Sequence, residues 1–224
     1  MTRRALVQPP LLFSSGDRLS REEFLAAWEE MPDLRFAELI DGVVYMPSPL
    51  SADHGDYDAV VHAWGAVYAG RSGIARVSGN ITWLMLDSAP QPDSTIRLLP
   101  EFGGNNHIEG GLAAGVPELA VEVSKSSRAY EPGQKLDLYE RAGVKEYLAA
   151  LLKERRLEWR VLRNGRYELL QPDSDGVYKS EVFPGLWLSE PALWKIDIPG
   201  VLAVLEKGLQ SPEFTAFRAK YQTR

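Results

Sequence analysis

Pro117-Glu118-Leu119-Ala120-Val121-Glu122-Val123-Ser124 alternates apolar and polar residues, the pattern of a strand with two different faces. Side chains of a strand point to opposite faces with a period of two. Leu119, Val121 and Val123 therefore share one face, and Glu118, Ala120, Glu122 and Ser124 share the other. One face is a core face, and the second carries two carboxylates. At a rise of about 3.3 Å per residue, Glu118 lies about 13 Å from Glu122, too far to share one ion with it.

Before this strand, Pro100–Gly115 is rich in Gly and Asn with little apolar period, which predicts a long loop. Pro92-Asp93-Ser94-Thr95-Ile96-Arg97 reads as a short strand start. Ala75–Ser78 and Ile81–Leu86 are strand candidates on either side of a Gly79-Asn80 turn. Asp53–Ala69 places Tyr57, Val60, Val61, Trp64, Val67 and Tyr68 on one helical stripe, with Asp53, His54 and Asp56 in its first turn. Asp41-Gly42 tolerates the positive φ of a type I′ turn, so Arg35–Met46 predicts a hairpin with Glu38 on a strand. Ser20 and Glu23 have capping-box spacing and open a short first helix.

After the strand, Pro132 and Gly133 open a helix over Gln134–Ala142 that Gly143 stops. Lys145–Leu152 and Leu157–Leu162 read as strands, and Asn164-Gly165 turns the chain into Arg166–Leu170. Val177–Phe183 and Leu186–Leu188 are closing strands, followed by helices over Val201–Gly208 and Pro212–Tyr221, the second capped by Ser211. The expected architecture is α/β: a central mixed sheet flanked by helices, with an arm over 1–18, one domain over 19–190 and a helical extension over 191–224 packed on the core.

With 224 residues, 45% hydrophobic and 25% charged, the chain can bury one sizeable core. No run of about 18 apolar residues marks a membrane span, and Pro9-Pro10 interrupts any signal-peptide core, so the expectation is a cytoplasmic protein without a membrane partner. The absence of cysteine excludes disulfides, thiolate metal sites and cysteine nucleophiles, and favours hard cations held by oxygen or imidazole. A net charge of -6 argues against coating nucleic acid non-specifically, although carboxylates gathered to bind a metal lower the total themselves.

Four blocks occur in a distinctive order: Phe36-Ala37-Glu38-Leu39-Ile40-Asp41-Gly42; Pro92-Asp93; Val121-Glu122-Val123-Ser124-Lys125-Ser126-Ser127; and Lys135-Leu136-Asp137-Leu138-Tyr139-Glu140-Arg141-Ala142-Gly143-Val144-Lys145-Glu146-Tyr147. Together they resemble the Uma-type family of restriction-endonuclease-like proteins, within the PD-(D/E)XK nuclease superfamily, from about Ser20 to Leu188. The superfamily pattern asks for Lys two residues after the third acid. This chain has Ser124 there, and the resemblance moves the lysine to Lys135.

The resemblance implies an endonuclease that hydrolyses nucleic-acid phosphodiesters, DNA in the first instance, with Mg²⁺ or Mn²⁺ as cofactor. Glu38, Asp93 and Glu122 would hold the metal and Lys135 would complete the catalytic set. His54, Ser124 and Tyr139 would be accessory, and a homodimer is the expected assembly. Taken singly, Glu38 is an ordinary strand carboxylate, Asp93 a turn residue and Lys135 a solvated helix residue. The sequence leaves two other readings open: an inactive nuclease fold that binds nucleic acid or protein, and a two-carboxylate glycosidase, which would need no metal. His62 and His107 have no partner at ligand spacing, and Trp28, Trp64, Tyr68 and Trp83 fall on apolar faces.

Overall fold

Leu119–Ser124 is a strand in the middle of a six-stranded sheet. The structure, a computed structural model, describes residues 12–46, 51–125 and 130–221. Its elements are α1 (Arg21–Glu29), β1 (Glu38–Ile40), β2 (Val43–Tyr45), α2 (Ala52–Ser72), β3 (Ala75–Gly79), β4 (Trp83–Leu84), β5 (Ser94–Leu98), β6 (Asn106–Glu109), β7 (Leu112–Gly115), β8 (Leu119–Ser124), α3 (Tyr130–Ala142), β9 (Glu146–Leu151), β10 (Arg156–Arg163), β11 (Arg166–Leu169), β12 (Val177–Lys179), β13 (Trp187–Ser189), α4 (Glu190–Leu193), α5 (Ile198–Leu209) and α6 (Pro212–Ala219). The main sheet has the order β11-β10-β9-β8-β5-β3. Only β8 and β9 run parallel, and α3 is the crossover that a parallel pair requires.

The two faces of β8 go where its alternation sends them. Leu119, Val121 and Val123 join Ile96 of β5 in a cluster with Val60, Val61, Trp64 and Tyr68 of α2. Val201, Leu205, Phe214 and Phe217 of the C-terminal helices complete the same cluster. Polar tips buried there find partners, since an unpaired donor in an apolar core is costly. The Trp64 indole donates to the Trp187 carbonyl at 2.9 Å and the Tyr68 hydroxyl to the Pro184 carbonyl at 3.1 Å. On the opposite face, Ala120, Tyr147, Ala149 and Leu151 meet Leu138 and Tyr139 of α3, with Trp83 and Met85.

Local signals held where they are purely local. The Ser20–Glu23 capping box forms, and Asp41 (φ 49°) with Gly42 (φ 75°), like Asn164 (φ 52°) with Gly165 (φ 78°), turns its hairpin. Three expectations are corrected. The region read as a loop over Pro100–Gly115 holds a short 3-10 turn, Pro100–Phe102, and the hairpin β6–β7 around Gly110-Gly111. Its strands lack alternation because they are fitted to neighbours: a Cβ on Gly115 would lie 2.3 Å from the Asn105 carbonyl oxygen, and Ala113 and Ala114 lie alongside Trp83 and Leu84. The Ile81–Leu86 strand shrinks to β4, which leaves the main sheet to pair in parallel with β7. Helix α3 begins at Tyr130, not Gln134, because a proline in the first turn sits where no intrahelical N–H bond is needed.

Glu146 shows how the β9 edge of this core is closed. It has no exposed surface, and its Oε1 accepts the Glu181 and Val182 amides at 2.7 and 3.1 Å. Its Oε2 accepts the Ser180 hydroxyl at 2.7 Å and the Trp159 indole at 3.2 Å. Burial raises the carboxyl pKa and these donors offset part of the rise. A carboxyl with a raised folded pKa contributes most below its unfolded pKa, and its contribution falls as pH rises through the window up to the folded value. Glu146→Ala is expected to cost about 3 kcal/mol by stranding buried donors. Glu146→Gln should flatten the decline of stability between pH 5 and 8. Urea midpoints at the two pH values read both effects, and a Glu146→Ala midpoint equal to wild type would remove the structural role.

Candidate active site

The hairpin β1–β2 presents Glu38 at its first strand position, and Leu39 exchanges two backbone hydrogen bonds with Ala89, at 3.2 and 2.7 Å. That pairing lays the chain leading to Asp93 alongside β1. Asp93 stands immediately before β5, and the register Ser94↔Val121 carried one residue further sets it opposite Glu122. The Val123 amide donates to Asp93 Oδ2 at 2.6 Å, which holds the carboxylate in place. Helix α3 returns across the same sheet face after β8. Lys135 and Tyr139, four residues apart, lie on one side of it and reach down to Glu122.

The Lys135 ammonium occupies the centre. Its Nζ lies 2.7 Å from Glu38 Oε1, 3.1 Å from Glu122 Oε2 and 3.1 Å from the Gln91 carbonyl oxygen. Tyr139 donates its hydroxyl to Glu122 Oε1 at 2.8 Å. Glu38, Glu122 and Lys135 are only 5–6% exposed, and Tyr139 is fully buried. Two carboxylates against one ammonium leave an excess negative charge in a dry site. Burial first, then repulsion from Asp93 and Glu38, pushes Glu122 up to about 8 against the opposing pull of Lys135. Burial lowers the lysine, but Glu122 and Glu38 outweigh it, and Lys135 stays charged.

Asp93 faces another way at its second oxygen. His54 Nε2, in the first turn of α2, is 3.5 Å from Asp93 Oδ1, buried and without a hydrogen-bond partner. The nearby Asp93 carboxylate raises the imidazole pKa, partly opposed by burial. Ser124 closes β8, partly exposed and two residues beyond Glu122. Ser126 and Ser127, and Pro47 to Pro49, lie outside the described residues. His62 pairs with Asp58 at 3.1 Å, and His107 sits on exposed β6 near Glu109 at 3.7 Å.

The expectation that three acids converge on one point is therefore corrected in detail. Glu38 and Glu122 turn to Lys135, and Asp93 turns to His54 and the Val123 amide. Among the described residues, no three acidic or imidazole groups converge closely enough to hold a metal ion by themselves. The reason is charge: buried carboxylates need a counter-charge, and the ammonium supplies it. One participant was missed in the sequence. Gln91 donates its amide to Glu38 Oε1 at 2.5 Å, gives its carbonyl to Lys135, and donates its side chain to Thr82 Oγ1 at 2.9 Å. The only available signal was Pro92 after it, which favours extended backbone at Gln91.

A hard divalent ion of the Mg²⁺ type can be bound by one or two carboxylates, with water and substrate phosphate completing its sphere. Asp93 Oδ1 accepts no hydrogen bond among the described residues, and the Glu122 carboxylate stands beside it in the sheet. Two carboxylates fit such an ion when water and substrate phosphate supply its remaining ligands.

A mixed sheet with helices on both faces, and an acid–lysine cluster at the ends of neighbouring strands, places the chain in the restriction-endonuclease-like fold class. The chain belongs to the Uma2 family, described as "Putative restriction endonuclease", whose model matches residues 21–191. It is similar in structure to a protein described as a putative nuclease belonging to DUF820 from Anabaena variabilis ATCC 29413. That match has 14% identity and a TM-score of 0.63, over 80% of this chain and 98% of the other. No curated protein matches. Among the described residues, no helix is long and apolar enough to cross a membrane.

Proposed function

We propose that this chain is a divalent-metal-dependent endonuclease that hydrolyses nucleic-acid phosphodiester bonds, with DNA as its substrate. The observation that carries the reading is Lys135, held between Glu122 and Glu38 beside an Asp93 that stands in register with Glu122. Asp93 and Glu122 would hold Mg²⁺ or Mn²⁺, which when bound supplies charge neutralisation at the phosphate and a more acidic water. Lys135 would orient the attacking water and offset charge on the phosphate oxygens. Glu38, tied to the Gln91 amide, positions that ammonium and is assigned to the lysine rather than to the metal. Tyr139 fixes the rotamer of Glu122, and His54 Nε2 is placed to hold or pass a proton at Asp93 Oδ1. Ser124 stays an accessory group at the rim. A cytoplasmic setting, and a homodimer that brings one such site to each strand of a duplex, belong to the same reading.

The competing reading, a nuclease fold that binds without cutting, draws on one observation: Glu38 and Glu122 already share the Lys135 ammonium as a counter-ion without any metal. Calorimetry separates the two. Wild type is expected to bind Mn²⁺ with a measurable heat that Asp93→Ala abolishes. No binding in either, or equal binding in both, would count against the metal site, and plasmid nicking with Mg²⁺, Mn²⁺ or chelator then separates cutting from binding.

A further inference from the structure

The face of the main sheet that carries Asp93 and Glu122 also carries, at its other end, a row of charges with no role in the cluster. Arg76 of β3 is the direct register partner of Arg97 of β5. Ile96↔Leu119 and Leu119↔Glu146 continue the row to Glu118 and then Lys145. Ile96 and Leu98 pack into the α2 cluster, so Thr95 and Arg97 point to the other side of β5, the side of Asp93.

Like charges directly opposite on neighbouring strands destabilise a sheet. The two arginines are nevertheless adjacent, and Arg76 lowers the pKa of Arg97, second only to burial. Neither makes a salt bridge among the described residues. Arg97 is 9% exposed, stacks its guanidinium 5.6 Å from the Trp83 ring centroid and donates Nη1 to Ser78 Oγ at 2.7 Å. None of its other nitrogens is sealed away without a partner, so they reach solvent. Glu118, the one acid in the row, turns its Oε2 to the Leu98 amide at 2.7 Å instead. Arg76 and Lys145 are exposed.

From this we infer that Arg76 and Arg97, with Lys145 at the far end of the row, form a second phosphate-contacting site that holds the nucleic-acid backbone a few nucleotides from the bond facing Asp93 and Glu122. This rests on the nuclease reading above and deepens it. Arg97 lies four positions along the chain from Asp93, about 13 Å in an extended strand, which matches the spacing of phosphates a few nucleotides apart along one strand. A planar guanidinium fixed by stacking and one hydrogen bond keeps its remaining donors pre-organised for a phosphate, and an exposed arginine beside it supplies the reach. The site also answers the acidity of the chain: the cations needed for phosphate are gathered in one row while the net charge stays at -6.

The test is fluorescence anisotropy with a labelled duplex oligonucleotide and the full chain in chelator, titrated from 50 to 200 mM salt. Arg76→Glu is expected to weaken binding about tenfold at the lowest salt, and Arg76→Gln to reduce the slope of log K against log salt by about one. Arg97→Gln should remove a further unit, while Arg97→Lys retains most of the affinity. Arg166→Gln, an exposed arginine on β11 paired with Glu140, should change neither. Unchanged affinity and slope in Arg76→Glu, or a wild type that binds no nucleic acid, overturns the inference. Arg76 is exposed, so the Arg76 variants read the site even if Arg97→Gln does not fold. Failure of the nuclease reading looks different: binding remains sensitive to Arg76, but no nicking appears with Mg²⁺ or Mn²⁺.

Discussion

Asp93→Asn is expected to slow plasmid nicking by about 10³-fold or more, while thermal unfolding stays within a few degrees of wild type. Asparagine keeps the volume and an oxygen that can accept the Val123 amide, so the β5–β8 junction stays satisfied. It removes the negative charge that would hold a divalent ion next to Glu122. A bound ion is worth several kcal/mol of transition-state charge stabilisation, and about 4 kcal/mol corresponds to about 10³ in rate. Rates measured at saturating Mn²⁺ and Mg²⁺ check the effect. A variant that nicks at the wild-type rate would remove Asp93 from the reaction and the metal site with it.

Lys135→Met should abolish nicking and also lower stability by about 3–5 kcal/mol, the range found when one partner of a buried ion pair is deleted. Methionine fills the space of the lysine stem but leaves Glu38 and Glu122 facing each other, both nearly sealed from water. Adding Glu122→Gln to Lys135→Met should recover part of the loss, because an amide needs no counter-ion. A coupling energy of at least about 1 kcal/mol in that double-mutant cycle is the expected signature. Acidification should also narrow the gap between Lys135→Met and wild type. A carboxyl whose folded pKa is raised favours the folded state most at low pH and loses that contribution as pH rises. Additive effects in the cycle would mean that the lysine stem packs without neutralising anything.

The parts of the site differ in how legible they were. Glu38 could be placed because Asp41-Gly42 makes its hairpin by local backbone preference, and Glu122 because period-two alternation assigns it a face. Lys135 and Tyr139 could be put on one helix side from their spacing alone. What each carboxylate meets was not legible. Gln91 takes part through its backbone amide and carbonyl, which every residue except proline possesses, so its side-chain identity carried no signal. The hairpin β6–β7 was hidden because its residues answer to Trp83, Leu84 and Asn105, distant neighbours that leave no periodic mark.

Caps, glycine turns and apolar periods act over a few residues, so the chain by itself determined most of its helices and strands and the α/β class, while the acids and the lysine were pointed to by the four blocks of the family resemblance. Only the tertiary structure decided that the ammonium stands between Glu38 and Glu122, that Asp93 pairs with His54, and that two arginines share a row on the same sheet face. Those meetings follow from strand order and from the path of α3 back across the sheet. Both are set by burial of side chains far apart in sequence, where the competing terms are desolvation and charge compensation rather than local backbone preference.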